Sequence, residues 1–232
     1  MLDVIMDAGF EVHANKTLTV LKMLFNQAYD HDKITDVPTD RIKPPGPVTP
    51  RERTLTTPEL VAVWNATYGD GGIDSHLHGD IVRILMLTGQ RRNEVAGMQW
   101  SEIDFDRRIW ELPRDRTKNK QPHIVPRSSA VLSILHRQLK EQKELGLESV
   151  FVFTTIGKTP FSGWSRSKQR LDQRCGVTDW RLHDLRRTVV TGMNDDLGIW
   201  PHVIAAIANH VSGAAKRGKD EADAAIAALI RF

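Results

Sequence analysis

Residues Asp179–Met193 read DWRLHDLRRTVVTGM. Leu182, Leu185, Val189 and Met193 recur at intervals of three and four, the spacing of one buried helix face. His183, Arg186 and Arg187 share a single turn of that helix, with Asp184 and Thr188 beside them. Charged groups avoid the margin of a core-facing surface unless they are paired there. The stretch therefore predicts a helix that holds an imidazole and guanidiniums against something anionic.

Working outward, the pattern is mostly helical. Behind Pro201, WPHVIAAIANH reads as a further helix, and Trp164 to Arg174 as one before it. Ser128 or Ser129 caps a long helix that Gly146 stops. SEIDFDRRIWELP and HIVPR alternate like strands, with RDRTKNKQP as the turn between them. DIVRILMLTG is an apolar helix ended by Gly89, and RRNEVAGMQW starts another helical turn. Thr57-Pro58-Glu59 is a helix start with Thr57 as the cap. Lys43–Pro50, KPPGPVTP, holds four prolines and a glycine and can be neither helix nor central strand. Before it, ANKTLTVLKMLFNQAYDHD places Leu18, Leu21, Leu24, Phe25 and Ala28 on one helix face. The fold class expected is α+β, mostly helical, with one small antiparallel sheet. The expected organisation is an N-terminal stub at 1–42, a linker at 43–50 and a main domain at 51–232, the stub being too short to stand alone.

Composition narrows the function classes. The chain has 232 residues, 40% hydrophobic and 26% charged, which suits a globular protein. No run approaches the ~20 apolar residues of a membrane span, and the N-terminus lacks the basic region of a signal peptide. One cysteine, Cys175, allows no intrachain disulfide and no cysteine-based zinc site, and points to a reducing cytoplasm. The net charge of +3 is a mild bias, but PRDRTKNKQPHIVPR and WSRSKQR concentrate it, with a phosphate backbone as the leading partner.

Four pieces carry candidate chemistry: TGQRRNEV, RTKNKQPHIVP, RLHDLRRT and IANHVSG. Arg91 and Glu94 can pair one turn apart. Lys118 sits at a hairpin tip, His183 and Arg186 share a helix face, and His210 lies near a helix end. Individually each has a bland reading as a surface pair, a solvated turn or a helix-end histidine. Together, LTGQRRNEVAGMQWSEID, RTKNKQPHIVP, FSGWSR, DWRLHDLRRT and NHVSG resemble, in order and spacing, the catalytic domain of tyrosine recombinases of the phage-integrase family. The likeness is nearest to integrases of prophages and genomic islands.

That resemblance implies DNA strand cleavage and rejoining, and double-stranded DNA carrying an attachment site as the partner. It implies copies assembled on DNA, no small-molecule substrate, no membrane, and neither metal nor other cofactor. It assigns Arg91 and Arg186 to the scissile phosphate, where guanidinium forks suit non-bridging oxygens. Lys118 would protonate the leaving 5′-oxygen, His183 would move protons near the nucleophile, His210 would hydrogen-bond the phosphate, and Glu94 would orient Arg91. Residues 1–42 would be the end of the family's core-binding domain.

The chain departs from the family at one decisive place. The family's tyrosine nucleophile follows the NHVSG histidine, yet no tyrosine follows Tyr68 here. Tyr29 and Tyr68 match other positions, so no nucleophile is carried over. A degenerate C-terminus, a tyrosine from another protomer and attack by Ser212 are the competing accounts, and the first is favoured, with a fragment lacking both ends of the family pattern. DEADAAIAALIRF then forms a short amphipathic helix through Ile226, Leu229, Ile230 and Phe232. A non-catalytic DNA-binding remnant, or a regulator of an intact recombinase, is the alternative function. A distant rival is a zinc hydrolase, because SHLHGDI places His76, His78 and Asp80 in most of an H-x-H-x-D-H motif.

Overall fold

A computed structural model describes residues 1–47, 51–69 and 72–210. The chain divides into two compact units, Met1–Glu52 and Arg53–Phe232.

The first unit holds helices α1 (Leu2–Asp7) and α2 (Glu11–Asp30). Ala14 and Leu18 are buried, whereas Leu24 is 56% exposed and Leu21, Phe25 and Ala28 are half-buried. The expected apolar face is thus only partly covered within this unit. The Asn15 side chain closes the proline-rich stretch onto α2, donating to the Gly46 carbonyl and accepting from its N–H, both at 3.0 Å.

The second unit is built around α4 (Gly72–Thr88), whose Leu77, Ile81, Val82, Ile84 and Leu85 are all buried. Helices α5 (Arg92–Ala96), α6 (Ser129–Glu144), α7 (Trp164–Cys175) and α8 (Leu182–Asp195) pack on it, and α3 (Thr57–Ala66) packs on α7. Helix α9 (Pro201–Ile207) lies against α8. Gly79 permits the tightest approach: a Cβ there would stand 2.2 Å from the Thr67 carbonyl oxygen just beyond α3. Among the described residues, no helix is long and apolar enough to cross a membrane.

Strands β1 (Ile103–Asp104), β2 (Ile109–Leu112) and β3 (His123–Pro126) form an antiparallel sheet in that order. Trp110 opposes Val125 and Leu112 opposes His123, and all four are buried. This register projects the Pro113–Pro122 turn, with Lys118, from one end of the sheet.

Helix ends follow the sequence closely. Ser128 caps α6, its Oγ accepting the Val131 N–H. The cap of α3 is Thr56, one residue before the expected Thr57, because Glu59 returns its carboxylate to the Thr56 N–H and completes a reciprocal capping box. On α8, Leu182 and Leu185 are buried, but Val189 and Met193 are only half-buried. They line a shallow groove with Leu60 and Met86 instead of reaching the core.

Candidate active site

The site begins where α4 stops. Gly89 takes a left-handed backbone (φ +62°), and Arg91, in extended conformation, caps α5. A side chain at Gly89 would be strained by that φ and would meet Val189 Cγ1 at 2.9 Å. Glu94, buried in α5, accepts the Arg91 N–H through Oε2 (3.3 Å) and Arg91 Nη1 through Oε1 (2.9 Å). The expected pair therefore forms, but as a buried anchor. Its carboxylate holds both the main chain and the guanidinium of Arg91.

Arg186, on α8, is only 3% exposed. Its Nη1 donates to the Gly89 carbonyl at 2.6 Å and its Nη2 to the Ala208 carbonyl. Arg91 Nη2 donates to the Asn209 carbonyl at 3.0 Å, and Gln90 Nε2 to the Ile207 carbonyl at 2.9 Å. Three successive carbonyls at the end of α9 thus receive side-chain donors from the α4–α5 junction and α8. A helix leaves its last carbonyls unpaired and its C-terminus partly negative, so cations there satisfy both demands. These bonds use two of the five N–H groups of each arginine. Burial, and then the neighbouring Arg91 charge, lower the Arg186 guanidinium to about 10, which leaves it charged at neutral pH. Two fixed, like-charged guanidiniums with Glu94 as the nearby carboxylate form a site short of negative charge.

Arg91, Glu94, Lys118 and His183 line one open cleft of about 1170 Å³, together with Arg92, Trp164, Lys168 and Arg181. The buried Arg186 is not among the residues that line this cleft. His183 is the second residue of α8 and is exposed. Partial burial, then Arg187 and Arg186, hold its imidazole below the usual histidine range. His210 follows the end of α9 and is shifted down likewise, by partial burial and then by Arg186, Arg91, His183 and Lys118. Those perturbing charges show that all five cationic or imidazole groups share one electrostatic neighbourhood. Both shifts favour the neutral imidazole, the form that can accept a proton.

Not every basic residue of the two concentrated runs faces the cleft as a spare charge. Arg116 donates to Glu102 at 2.5 Å and to the Glu94 carbonyl at 2.8 Å, bracing the base of the turn. Lys168 is paired with Asp172 at 2.5 Å and lies over the Trp180 ring. Lys118 and Lys120 remain exposed.

Sequence reasoning passed over Gln90, Asn119, His123 and Asn209. Asn119 Nδ2 donates to Asn209 Oδ1 at 2.5 Å. His123, on β3, is buried; burial is the main cause that lowers its imidazole to about 4, while Glu94 and a bond to the Ile207 backbone pull it upward. Each stands within one or two residues of a noticed basic group, or within the same motif, and that proximity was the available signal. Their partners lie far away in sequence, so their roles were not readable from it.

The zinc alternative does not survive the fold. His76, His78 and Asp80 lie on α4, where a spacing of two residues points side chains in different directions. Asp80 is buried and accepts from Tyr68 (3.1 Å), Gln138 (2.8 Å) and Arg137. His78 is buried beside Phe161 and Trp164, while His76 is exposed and stacks on Tyr68. Among the described residues no group of three His, Cys, Asp or Glu side chains could hold a metal ion. Tyr68 is also engaged through its hydroxyl, and the Arg83 guanidinium lies 3.5 Å from its ring centre. Ser212 and the apolar residues Ile226, Leu229, Ile230 and Phe232 lie outside the described residues.

Comparison with known proteins agrees with this architecture. The model of the family described as "Phage integrase family" matches residues 59–216. Prophage integrase IntA of Escherichia coli is 32% identical over 127 residues, 54% of this chain and 30% of the relative. A tyrosine recombinase XerC-like protein of Caldanaerobacter subterraneus is 27% identical over 212 residues, 74% of this chain and 52% of the relative. The chain thus spans about half or less of the length of these two relatives. Among solved structures, the Tn1549 transposon integrase in complex with circular intermediate DNA superposes with a TM-score of 0.66 at 20% identity, covering 91% of this chain and 75% of that one. A lambda integrase tetramer bound to a Holliday junction gives 0.67 at 18% identity, covering 91% and 62%.

Proposed function

This chain belongs to the phage integrase family, and on that premise we propose that its cleft binds a backbone phosphate of double-stranded DNA as part of site-specific recombination. The observation that carries the reading is the pair of guanidiniums, Arg91 and Arg186, both fixed on backbone carbonyls, of Asn209 and of Gly89 and Ala208. Attack on a phosphodiester adds negative charge to the non-bridging oxygens. Preorganised donors stabilise that charge without reorganising, and losing one such donor costs roughly 100-fold or more in rate. Lys118 is the proton donor to the leaving 5′-oxygen, His183 moves protons near the attacking group, His210 hydrogen-bonds the phosphate, and Glu94 orients Arg91. The solved relatives are described as bound to circular intermediate DNA and to a Holliday junction, the latter as a tetramer, which supports duplex DNA as the partner and several copies as the working assembly. Residues 1–42 are, in this reading, the end of a core-binding domain, and the single cysteine fits a reducing cytoplasm.

A second reading rests on one sequence fact. No tyrosine follows Tyr68, so a phosphotyrosine intermediate has no attacking group at the family's position. The chain would then bind DNA without cutting it, and could regulate assemblies of an intact recombinase. One experiment separates the two: incubation with supercoiled plasmid, quenching in SDS, and DNA binding measured in the same samples. Bound DNA with no SDS-resistant adduct is the result expected for the non-cleaving protein. A covalent adduct, mapped by peptide mass, would identify a working nucleophile and establish strand cleavage. Absence of DNA binding would overturn both readings.

A further inference from the structure

The β2–β3 turn carries Lys118; Arg116 ties its base to Glu102 and the Glu94 carbonyl, while the bonds at its tip are mostly local. Thr117 Oγ1 donates to the Gln121 carbonyl at 2.7 Å, and the Gln121 N–H donates to Asn119 Oδ1 at 3.3 Å. At the tip, Asn119 Nδ2 reaches much further, to Asn209 Oδ1 at 2.5 Å and the Asn209 carbonyl at 3.2 Å, across 90 positions of sequence. That same carbonyl accepts Arg91 Nη2 at 3.0 Å. Asn209 is 9% exposed and sits in the left-handed region at φ +48°, which asparagine tolerates better than most residues. It therefore joins three things at one point: the neighbour of Lys118, the guanidinium of Arg91, and the peptide bond leading to His210.

Resting on the phosphate-binding reading above, we propose that Asn209 is a positioning residue that latches the Lys118 turn to Arg91 through Asn119, so that lysine and arginine meet the same phosphate. A lysine on an unlatched hairpin tip would lose backbone freedom each time it engaged a ligand. The latch makes that loss part of folding, and the lysine is then held ready in the free protein. The contact uses neutral amides, so it orders the turn without adding a carboxylate that would compete with the phosphate for the cations.

The test uses the whole chain and two variants on opposite sides of the contact. Asn119→Ala removes the donor. Asn209→Gly removes the side-chain acceptor but keeps the left-handed backbone and the carbonyl that Arg91 uses. Hydrogen exchange of the free protein is read over residues 114–121, with α6 as the internal control for folding. Exchange of the turn should rise about tenfold in both variants while α6 is unchanged. Acylation of Lys118 is then compared with that of Lys120, with and without a short duplex, by peptide mass. DNA should shield Lys118 more than Lys120 in the parent, and that difference should vanish in both variants. Unchanged turn exchange in both variants overturns the latch whatever DNA does. Raised exchange with undiminished shielding of Lys118 overturns its positioning role. Failure of the phosphate reading is seen separately, as duplex binding that Arg91→Ala leaves unaltered, and the exchange result still decides whether the latch exists.

Discussion

Arg186 holds the backbone together and, in the proposed reading, would also meet the phosphate. Its guanidinium is almost wholly buried, and two of its donors satisfy backbone carbonyls on separate elements, Gly89 after α4 and Ala208 after α9. Arg186→Ala should therefore do two things. Leaving buried carbonyls without donors costs about 1–3 kcal/mol each, read as a lower midpoint in urea denaturation. On the proposed function it would also weaken duplex binding and flatten the plot of log affinity against log salt by about one unit. Arg91→Lys should separate charge from geometry. A lysine keeps the charge, so the salt slope should stay near that of the parent. It cannot span both Glu94 and the Asn209 carbonyl with a fixed fork, so affinity should still drop several-fold. Unchanged affinity in Arg91→Lys together with an unchanged slope in Arg186→Ala would show that neither guanidinium meets DNA.

At the scale of elements, the site depends on where α4 ends and on how closely α4 lies against the α3 terminus. Gly79 sets that approach, since even one methyl group there would collide with the Thr67 carbonyl. Gly79→Ala should destabilise the second unit by about 1–3 kcal/mol, the usual cost of overpacking, despite alanine's better helix propensity. Chemical denaturation would show it, and a stabilised variant would mean that α3 and α4 are free to separate. The same contact point explains why SHLHGDI looked like a metal motif. Gly79 serves helix packing, Asp80 is a buried acceptor for Tyr68, Gln138 and Arg137, and His78 fills a space beside two aromatic rings. The spacing of the polar residues is real, but the helix turns their side chains to unrelated tasks.

For the whole molecule, two buried histidines tie stability to pH. Burial holds His78 at about 4 and, despite opposing pulls from Glu94 and the Ile207 backbone, His123 at about 4. In the unfolded chain both titrate near 6.5, so between these values the unfolded state binds more protons and stability rises with pH. The contribution is complete above about pH 6.5 and is lost as pH falls toward about 4, by about 3 kcal/mol at most per histidine. The thermal midpoint should decline over that window. In His78→Leu the decline should be shallower by the equivalent of one proton. A midpoint independent of pH across the whole window would show that neither histidine is held neutral.

The sequence by itself determined the helix-rich class with its small antiparallel sheet, the family, and the residue types of the cleft. Periodicity, capping residues and the order of the motifs are local properties, and they survive in a linear reading. Even the Glu94 carboxylate was visible as an i, i+3 partner of Arg91. Only the tertiary structure decided that Arg186 is buried and does not line the cleft, that Val189 and Met193 edge a groove, and that His76, His78 and Asp80 meet separate partners. The same holds for the Asn119–Asn209 contact and for the three carbonyls at the end of α9 that receive Gln90, Arg186 and Arg91. The physical reason is shared: unpaired backbone groups at the end of a helix must find donors, and which side chains reach them depends on how distant elements pack.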